Sequence, residues 1–237
     1  AHIEAALRSG KHVVTANKGP IAWDYDRLSR LAADCGRRLL FEATVMDGAP
    51  VFNLARNCLR VCQVTSISGI LNSTTNVILE KMGEGLTFAA ALAAAQAMGV
   101  AEADPALDID GHDSAAKLAA LANVLMGAGM TPVAIGRNGI RHISLDDIAA
   151  AAAQGKTIKL LCEAWHTAGG EFQACIRPQA LPAGHPYSGV AGTSSILTLQ
   201  TDLLGRLTIT EQSPGLEQTA YGVLADLVEI ACLNAST

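Results

Sequence analysis

IEAALRSGKHVVTANKGPIA, residues 3–22, reads as a helix stopped by Gly10, a short apolar strand (HVVT), and the opening of a second helix at Asn17-Lys18-Gly19-Pro20. The step repeats at once. WDYDRLSRLAADCG, residues 23–36, carries apolar residues at helical spacing, ends in Gly36, and leads into RRLLFEATV, residues 37–45, read as a strand. Helices alternating with apolar strands predict an α/β unit with a parallel, doubly wound sheet, whose ligands lie beyond the carboxyl ends of the strands. Lys18, just past HVVT, falls there.

Beyond Gly48 the pattern changes. A helix (PVFNLARNCL, 50–59) and a strand (QVTSISGIL, 63–71) precede helical segments over about 73–83, 87–98 and 113–126. FAAALAAAQA, residues 88–97, is alanine-rich, but alanine is the best helix former, so the run predicts close helix packing rather than disorder. After the TPVAIGRNGI turn region come a short helix over 145–154 and the strands TIKLLCEAWH, EFQACIRP, SSILTLQT and GRLTITE. The expected arrangement is an α+β unit with a mixed sheet covered by the Ala-rich helices, closed by the helix EQTAYGVLADLVEIAC after SPGL.

The 237 residues are half hydrophobic, enough for one or two domains with a real core. A net charge of −5 without a long basic run argues against a nucleic-acid partner. No apolar stretch approaches the roughly 20 residues of a membrane span, and the first residues lack signal-peptide design, so no membrane partner and a soluble, cytoplasmic protein are expected. Six cysteines (Cys35, Cys58, Cys62, Cys162, Cys175, Cys232) show no C-x-x-C spacing, which favours reduced, buried thiols over zinc ligands or a disulfide framework.

GVAEADPALDIDGHDSAAKLAAL, residues 99–121, gathers Glu102, Asp104, Asp108, Asp110 and Asp113 ahead of a single lysine, Lys117. An EF-hand reading fails, because setting Gly111 sixth puts Lys117 where a bidentate glutamate is needed. Asp113 and Lys117 share a helix face, and such pairs are commonly surface ion pairs of about 0.2–0.5 kcal/mol. Here the lysine is followed by the apolar LAALANVL, and the acids outnumber it, which suggests a missing cation such as a substrate ammonium. GILNSTTN, residues 69–76, offers helix N-terminal donors and hydroxyls suited to a carboxylate, or equally an ordinary N-cap. His112 and His185 have no partner at metal-ligand spacing and are read as structural.

Taken together, HVVTANKGPIA, EATVMDGAP, GILNSTTN, GVAEADPALDIDGHDSAAKL and HPYSGVAG resemble homoserine dehydrogenases, in that family's order and over essentially the whole chain. The resemblance implies oxidation–reduction between L-homoserine and L-aspartate 4-semialdehyde with NAD(P), in threonine, methionine and isoleucine biosynthesis. It implies Lys117 and Lys18 as catalytic lysines, with Glu102, Asp108, Asp113, Thr74 and Ser73 binding the small amino-acid substrate. Asn17, Lys18 and Gly215 would face the cofactor, and Glu42, Val45, Asp47 and Ala49 would hold sodium or potassium, mostly by backbone carbonyls. It further implies a homodimer and a division into 1–47, the remainder of a Rossmann-type domain whose first strand and Gly-rich turn would precede residue 1; 48–215, the substrate and dimerisation region; and 216–237, a closing helix returning to the nucleotide domain. Such a piece alone is expected to bind cofactor poorly. The chain departs from the family pattern at Ser73, Val100, Met46-Asp47 and SPGLEQTA, which keeps open a related amino-acid oxidoreductase or a non-catalytic dimeric relative.

Overall fold

The computed structural model describes residues 1–234. Helix α1 (His2–Arg8), strand β1 (Val13–Val14), helix α2 (Lys18–Asp34) and strand β2 (Leu39–Leu40) follow the predicted helix–strand grammar. β1 and β2 pair in parallel, Val13 opposite Leu39 and Val14 opposite Leu40. The second strand is much shorter than RRLLFEATV: after Phe41 the chain winds into a 3₁₀ turn over Glu42–Thr44. The cause is local. The Glu42 N–H donates to Asp226 and its carboxylate is turned to the next helix, so its backbone cannot extend a ladder.

Helix α3 (Val51–Cys58) leads to β3 (Val64–Ile70), α4 (Ser73–Gly83), α5 (Phe88–Ala97), a one-turn α6 (Ala106–Ile109) and α7 (His112–Met126). The stretch expected as an acidic loop therefore contains α6, and α7 starts one residue before the predicted boundary. Gly111, in the left-handed region at φ 80°, makes the corner between them, and Gly127 at φ 64° ends α7. A 3₁₀ turn (Pro132–Ala134) and β4 (Gly136–Arg137) occupy what reads as turn sequence. Then follow α8 (Leu145–Ala153), β5 (Lys156–His166), β6 (Phe172–Pro182), β7 (Ser195–Thr201), β8 (Arg206–Glu211) and α9 (Leu216–Asn234), with residues 235–237 of the predicted closing segment outside the described residues.

The larger sheet has the order β4-β6-β5-β3-β7-β8. It is mixed because β4 runs parallel to β6 while the other neighbours are antiparallel. Helices α4, α7 and α8 pack on it, whereas α5 packs on α4 instead of covering strands. The main core runs from Leu118, Leu121 and the small residues Ala115, Ala119 and Ala122 of α7 to Ile67, Leu160, Cys162 and Leu197 of the sheet. On the opposite face the loop 183–194 covers a smaller cluster of Ile70, Leu161, Leu181, Tyr187, Val190 and Ile196.

α7 also packs along α2, which joins the two units. α9 returns to the first unit: Thr219 donates to Asp47 Oδ1 (2.7 Å), and Asp226, 2% exposed, accepts the Glu42 N–H. Gly222 lies between them, where a Cβ would stand 2.8 Å from the Asp47 carbonyl oxygen, so only glycine allows this helix to sit so close. Cys162 is the buried thiol, and burial pushes it up to about 12. The expectation of buried thiols fails for Cys58 and Cys232, which are exposed, and Cys35, Cys62 and Cys175 are only partly covered. Those positions lie on solvent-facing flanks of otherwise apolar segments.

Candidate active site

Two lysines from different units meet at one aspartate. Lys18 opens α2 at the carboxyl end of β1, and its Nζ lies 2.9 Å from Asp113 Oδ1. Lys117, one turn along α7 from Asp113, places its Nζ 3.6 Å from Asp113 Oδ2 and donates to the Leu71 carbonyl at 2.7 Å. The Leu71 carbonyl is available because β3 ends at Ile70 and α4 has not begun. Asn72 completes the junction. Its Oδ1 caps α4 by accepting the Thr75 N–H at 2.8 Å, while its Nδ2 donates to Asp108 (2.7 Å) and Asp113 (3.0 Å). The N-cap reading of GILNSTTN holds, and the residue that caps the helix also ties two acids together.

Asp113 is largely covered, with 15% of its side chain exposed. Burial pushes its carboxyl up, but the Lys117 and Lys18 charges and the Asn72 amide outweigh burial and hold it at about 2. The carboxylate therefore stays ionised at neutral pH and keeps both ammoniums in the cleft. At the start of α4 the Ser73 and Thr74 N–H groups precede the first intrahelical bonds and point out of the helix end, a favourable place for an anionic group. The cluster thus combines two amines on a fixed acid, a helix end with free N–H donors and a further carboxylate, Asp108.

The profile of the homoserine dehydrogenase family matches residues 50–228. The chain belongs to that family. It is 39% identical over 225 residues to the NAD(+)-dependent homoserine dehydrogenase of Pseudomonas canavaninivorans, covering 95% of this chain and 64% of that protein. A solved homoserine dehydrogenase from Thiobacillus denitrificans superposes with a TM-score of 0.93 at 32% identity, over 99% of this chain and 54% of the other. A hyperthermophilic archaeal homoserine dehydrogenase in complex with NADPH superposes with a TM-score of 0.83 at 30% identity, over 96% and 66%. The chain thus spans between about half and two-thirds of the length of these homoserine dehydrogenases.

Against the residues that the homoserine dehydrogenase resemblance singled out, the structure brings Lys18, Asp108, Asp113 and Lys117 into one cluster. Glu102 is exposed, and its recorded hydrogen bond is made by its backbone carbonyl, which accepts from Gln96 at 3.1 Å. Thr74 is 4% exposed and its hydroxyl donates to the Val100 carbonyl, so its backbone N–H, not its side chain, remains for a substrate carboxylate. Ser73 Oγ donates to the Thr193 carbonyl at 3.2 Å, and Thr193 Oγ1 in turn donates to the Pro214 carbonyl at 3.3 Å, which ties the Gly215 turn to the start of α4. Asn17 caps α2 by accepting the Gly19 N–H, and the Gly215 N–H donates to Gln218.

Glu42, 4% exposed, spends both carboxylate oxygens on the N-terminus of α3, accepting Phe52 N–H at 2.7 Å and Asn53 N–H at 2.6 Å. Burial pushes this carboxyl up, against those two bonds. What remains are backbone carbonyls at Glu42, Val45, Asp47 and Ala49, the last already accepting the Val51 N–H at 2.8 Å. Among the described residues no group of three His, Cys, Asp or Glu side chains is placed to hold a metal.

Sequence reading missed three participants: the Leu71 carbonyl, Asn72 as the bridge between acids, and Glu211. The Glu211 Oε1 accepts the Gly48 N–H at 3.2 Å while its Oε2 is buried without a partner, and burial pushes the carboxyl up although Lys117 pulls it down. Only its position at the end of a strand marks it in sequence.

Proposed function

We propose that the complete protein interconverts L-homoserine and L-aspartate 4-semialdehyde with NAD(P), as a cytoplasmic biosynthetic homodimer. The observation that carries the reading is Asp113 held between Lys117 and Lys18 at the junction of the two units. Residues 1–47 with α9 are read as part of the nucleotide-binding unit and 48–215 as the substrate and dimerisation region, which is supported by the parallel β1–β2 pair and by the return of α9 onto β1 and the 3₁₀ turn at Glu42–Thr44. Asn17, Lys18 and Gly215 fit the reacting end of a nicotinamide cofactor, because they stand at a strand end and at a turn tethered to the substrate-side helix.

When bound, NAD(P)H supplies the hydride for the aldehyde carbon. The chain's own residues handle the rest. The Ser73 and Thr74 N–H groups receive the substrate carboxylate, and Glu102 and Asp108 balance its ammonium. Lys117 donates a proton to the aldehyde oxygen, and Asp113, ionised at neutral pH, holds that amine in place. Lys18, on the same acid from the cofactor side, orients the carbonyl. Sodium or potassium on the carbonyls of Glu42, Val45, Asp47 and Ala49 would brace the hinge, since hard oxygen donors suit such ions. Dimerisation is assigned to the polar sheet face around Ser66, Gln179, Thr198 and Thr208, which with His185, Pro186 and Tyr187 of the 183–194 loop line a 270 Å³ depression.

The test uses the full-length protein with L-aspartate 4-semialdehyde, following NAD(P)H consumption. Turnover is expected with wild type, and none above background would remove the reading. No helix among the described residues is long and apolar enough to cross a membrane. Sedimentation of the complete protein as a stable monomer would remove the dimer.

A further inference from the structure

Lys159 is a lysine that the proposed chemistry does not use. It lies in β5, 3% exposed, with Leu161 two residues along on the same sheet face. Its Nζ donates to Asn76 Oδ1 at 2.8 Å and to the Val190 carbonyl at 2.6 Å, and no carboxylate stands within ion-pair distance among the described residues. Burying an ammonium against neutral oxygens costs several kcal/mol that a methionine or leucine at the same position would not incur. The sheet does not need it, so the loop that it holds is where its effect must be sought.

The Val190–Gly192 stretch of that loop is held by three side chains from two elements. Asn76 of α4 donates to the Val190 carbonyl (3.3 Å) and the Gly192 carbonyl (2.9 Å), and Glu80, one turn further, accepts the Gly192 N–H at 2.6 Å. Lys159 orders this set, because its bond to Asn76 Oδ1 fixes which way the amide faces. Gly192 adopts φ 59°, the left-handed region, and so delivers the chain directly to Thr193. Thr193 then touches both ends of the cleft, accepting from Ser73 and donating to Pro214 beside Gly215. Tyr187 anchors the earlier part of the loop, its hydroxyl meeting the Ser68 hydroxyl at 2.6 Å and donating to the Ser68 carbonyl at 3.2 Å, whereas the apolar contact of Val190 on the small cluster is not directional and does not set the 190–193 backbone.

We propose that Lys159 is a positioning residue: through Asn76 and the Val190 carbonyl it sets the 190–193 backbone, and thereby holds Thr193 between the substrate-carboxylate end at Ser73 and the cofactor-side turn at Pro214–Gly215. The assignment of those two ends rests on the proposed reaction, whereas the tether itself does not.

The experiment compares wild type, Lys159→Met and a packing control, Ile158→Ala, all in the full-length protein. Amide hydrogen exchange and steady-state kinetics are measured on each. In Lys159→Met, exchange at residues 190–193 should accelerate by about tenfold or more without spreading to β5 and β6. KM for the aldehyde substrate should rise about tenfold while kcat falls less than about threefold, because a ground-state contact has moved and the proton carrier has not. Ile158→Ala, which removes bulk from the other sheet face, should lower Tm without that KM rise. Unchanged exchange at 190–193 overturns the tether. Faster exchange with unchanged KM, or an equal KM rise in Ile158→Ala at matched loss of Tm, overturns the positioning role. If Lys159→Met does not fold, Asn76→Ser, which keeps the lysine and removes the amide donors, must show the same exchange and KM pattern or the proposal falls. Wild type inert toward the aldehyde would remove the proposed reaction, and the exchange result would still decide the tether.

Discussion

Lys117 and Lys159 leave water in opposite ways. Lys117 keeps 20% of its side chain exposed, lies 3.6 Å from Asp113, and shares that acid with Lys18 at the mouth of a cleft. Lys159 is 3% exposed and donates to an amide and a carbonyl oxygen, and burial pushes its ammonium below the usual lysine range although the nearby Glu80 charge pulls it up. In the proposed reaction the first environment leaves the amine partly exposed, where a substrate meets it. The second penalises the charge and seals it, so it can orient its neighbours but cannot take part in a reaction with a ligand. Burial alone does not mark a catalytic amine; the sign of its neighbours and a path to the ligand do.

The largest expected effect separates the two directly. Lys117→Met in the full-length protein should lower kcat by about 10²–10⁴-fold with little change in KM, the loss of a positioned proton-transfer group. A kcat loss of that size in Lys159→Met as well would erase the distinction. A near-normal kcat in Lys117→Met would move the proton transfer to Lys18.

Next comes acid stability. The Asp113 carboxyl lies at about 2 in the folded protein against 3.8 for the unperturbed group, a depressed value. Its contribution is therefore complete above about pH 4 and is lost as pH falls through about 2, amounting to about 2 kcal/mol. Denaturant midpoints followed from pH 5 to pH 2 should fall more steeply for wild type than for Asp113→Asn. Equal slopes would mean that the two ammoniums do not hold the acid.

Asn72→Ala should cost about 1 kcal/mol in urea unfolding, the usual loss of a helix N-cap. Asn72→Ser should keep a cap acceptor but remove the amide that bridges Asp108 and Asp113, so most of the stability should return while turnover does not. Recovery of both would show that the bridge between the acids has no part in the chemistry. The smallest structural effect is expected at Glu102: because it is exposed, Glu102→Ala should change stability by less than about 0.5 kcal/mol. Its KM for the amino-acid substrate should nevertheless rise, and an unchanged KM would remove it from the ammonium site.

Much of this was legible in sequence, for identifiable reasons. The helix–glycine–strand steps of residues 3–45 and the alanine runs of α5 and α7 are local signals, and they place α1, α2, α4, α5 and α7 with small errors at the ends. Strand 37–45 was overestimated because Glu42 bonds across 184 positions to Asp226, a partner that no window of sequence contains. β4 was missed because two residues carry no periodicity, and it exists only because β6 passes alongside.

By itself the sequence determined the alternation of elements, the gathering of acids around Lys117 and the family to which the chain belongs, because propensity, spacing and motif order are written in neighbouring residues. The tertiary structure alone decided what each charge faces. It turned the Glu42 carboxylate onto the α3 N-terminus, joined Lys18 and Lys117 on one acid, and bonded the buried Lys159 to an amide and a carbonyl oxygen. Backbone carbonyls and amides recur at every residue, so their placement as partners is invisible until the chain folds, and in a desolvated site those partners fix the state of the charge.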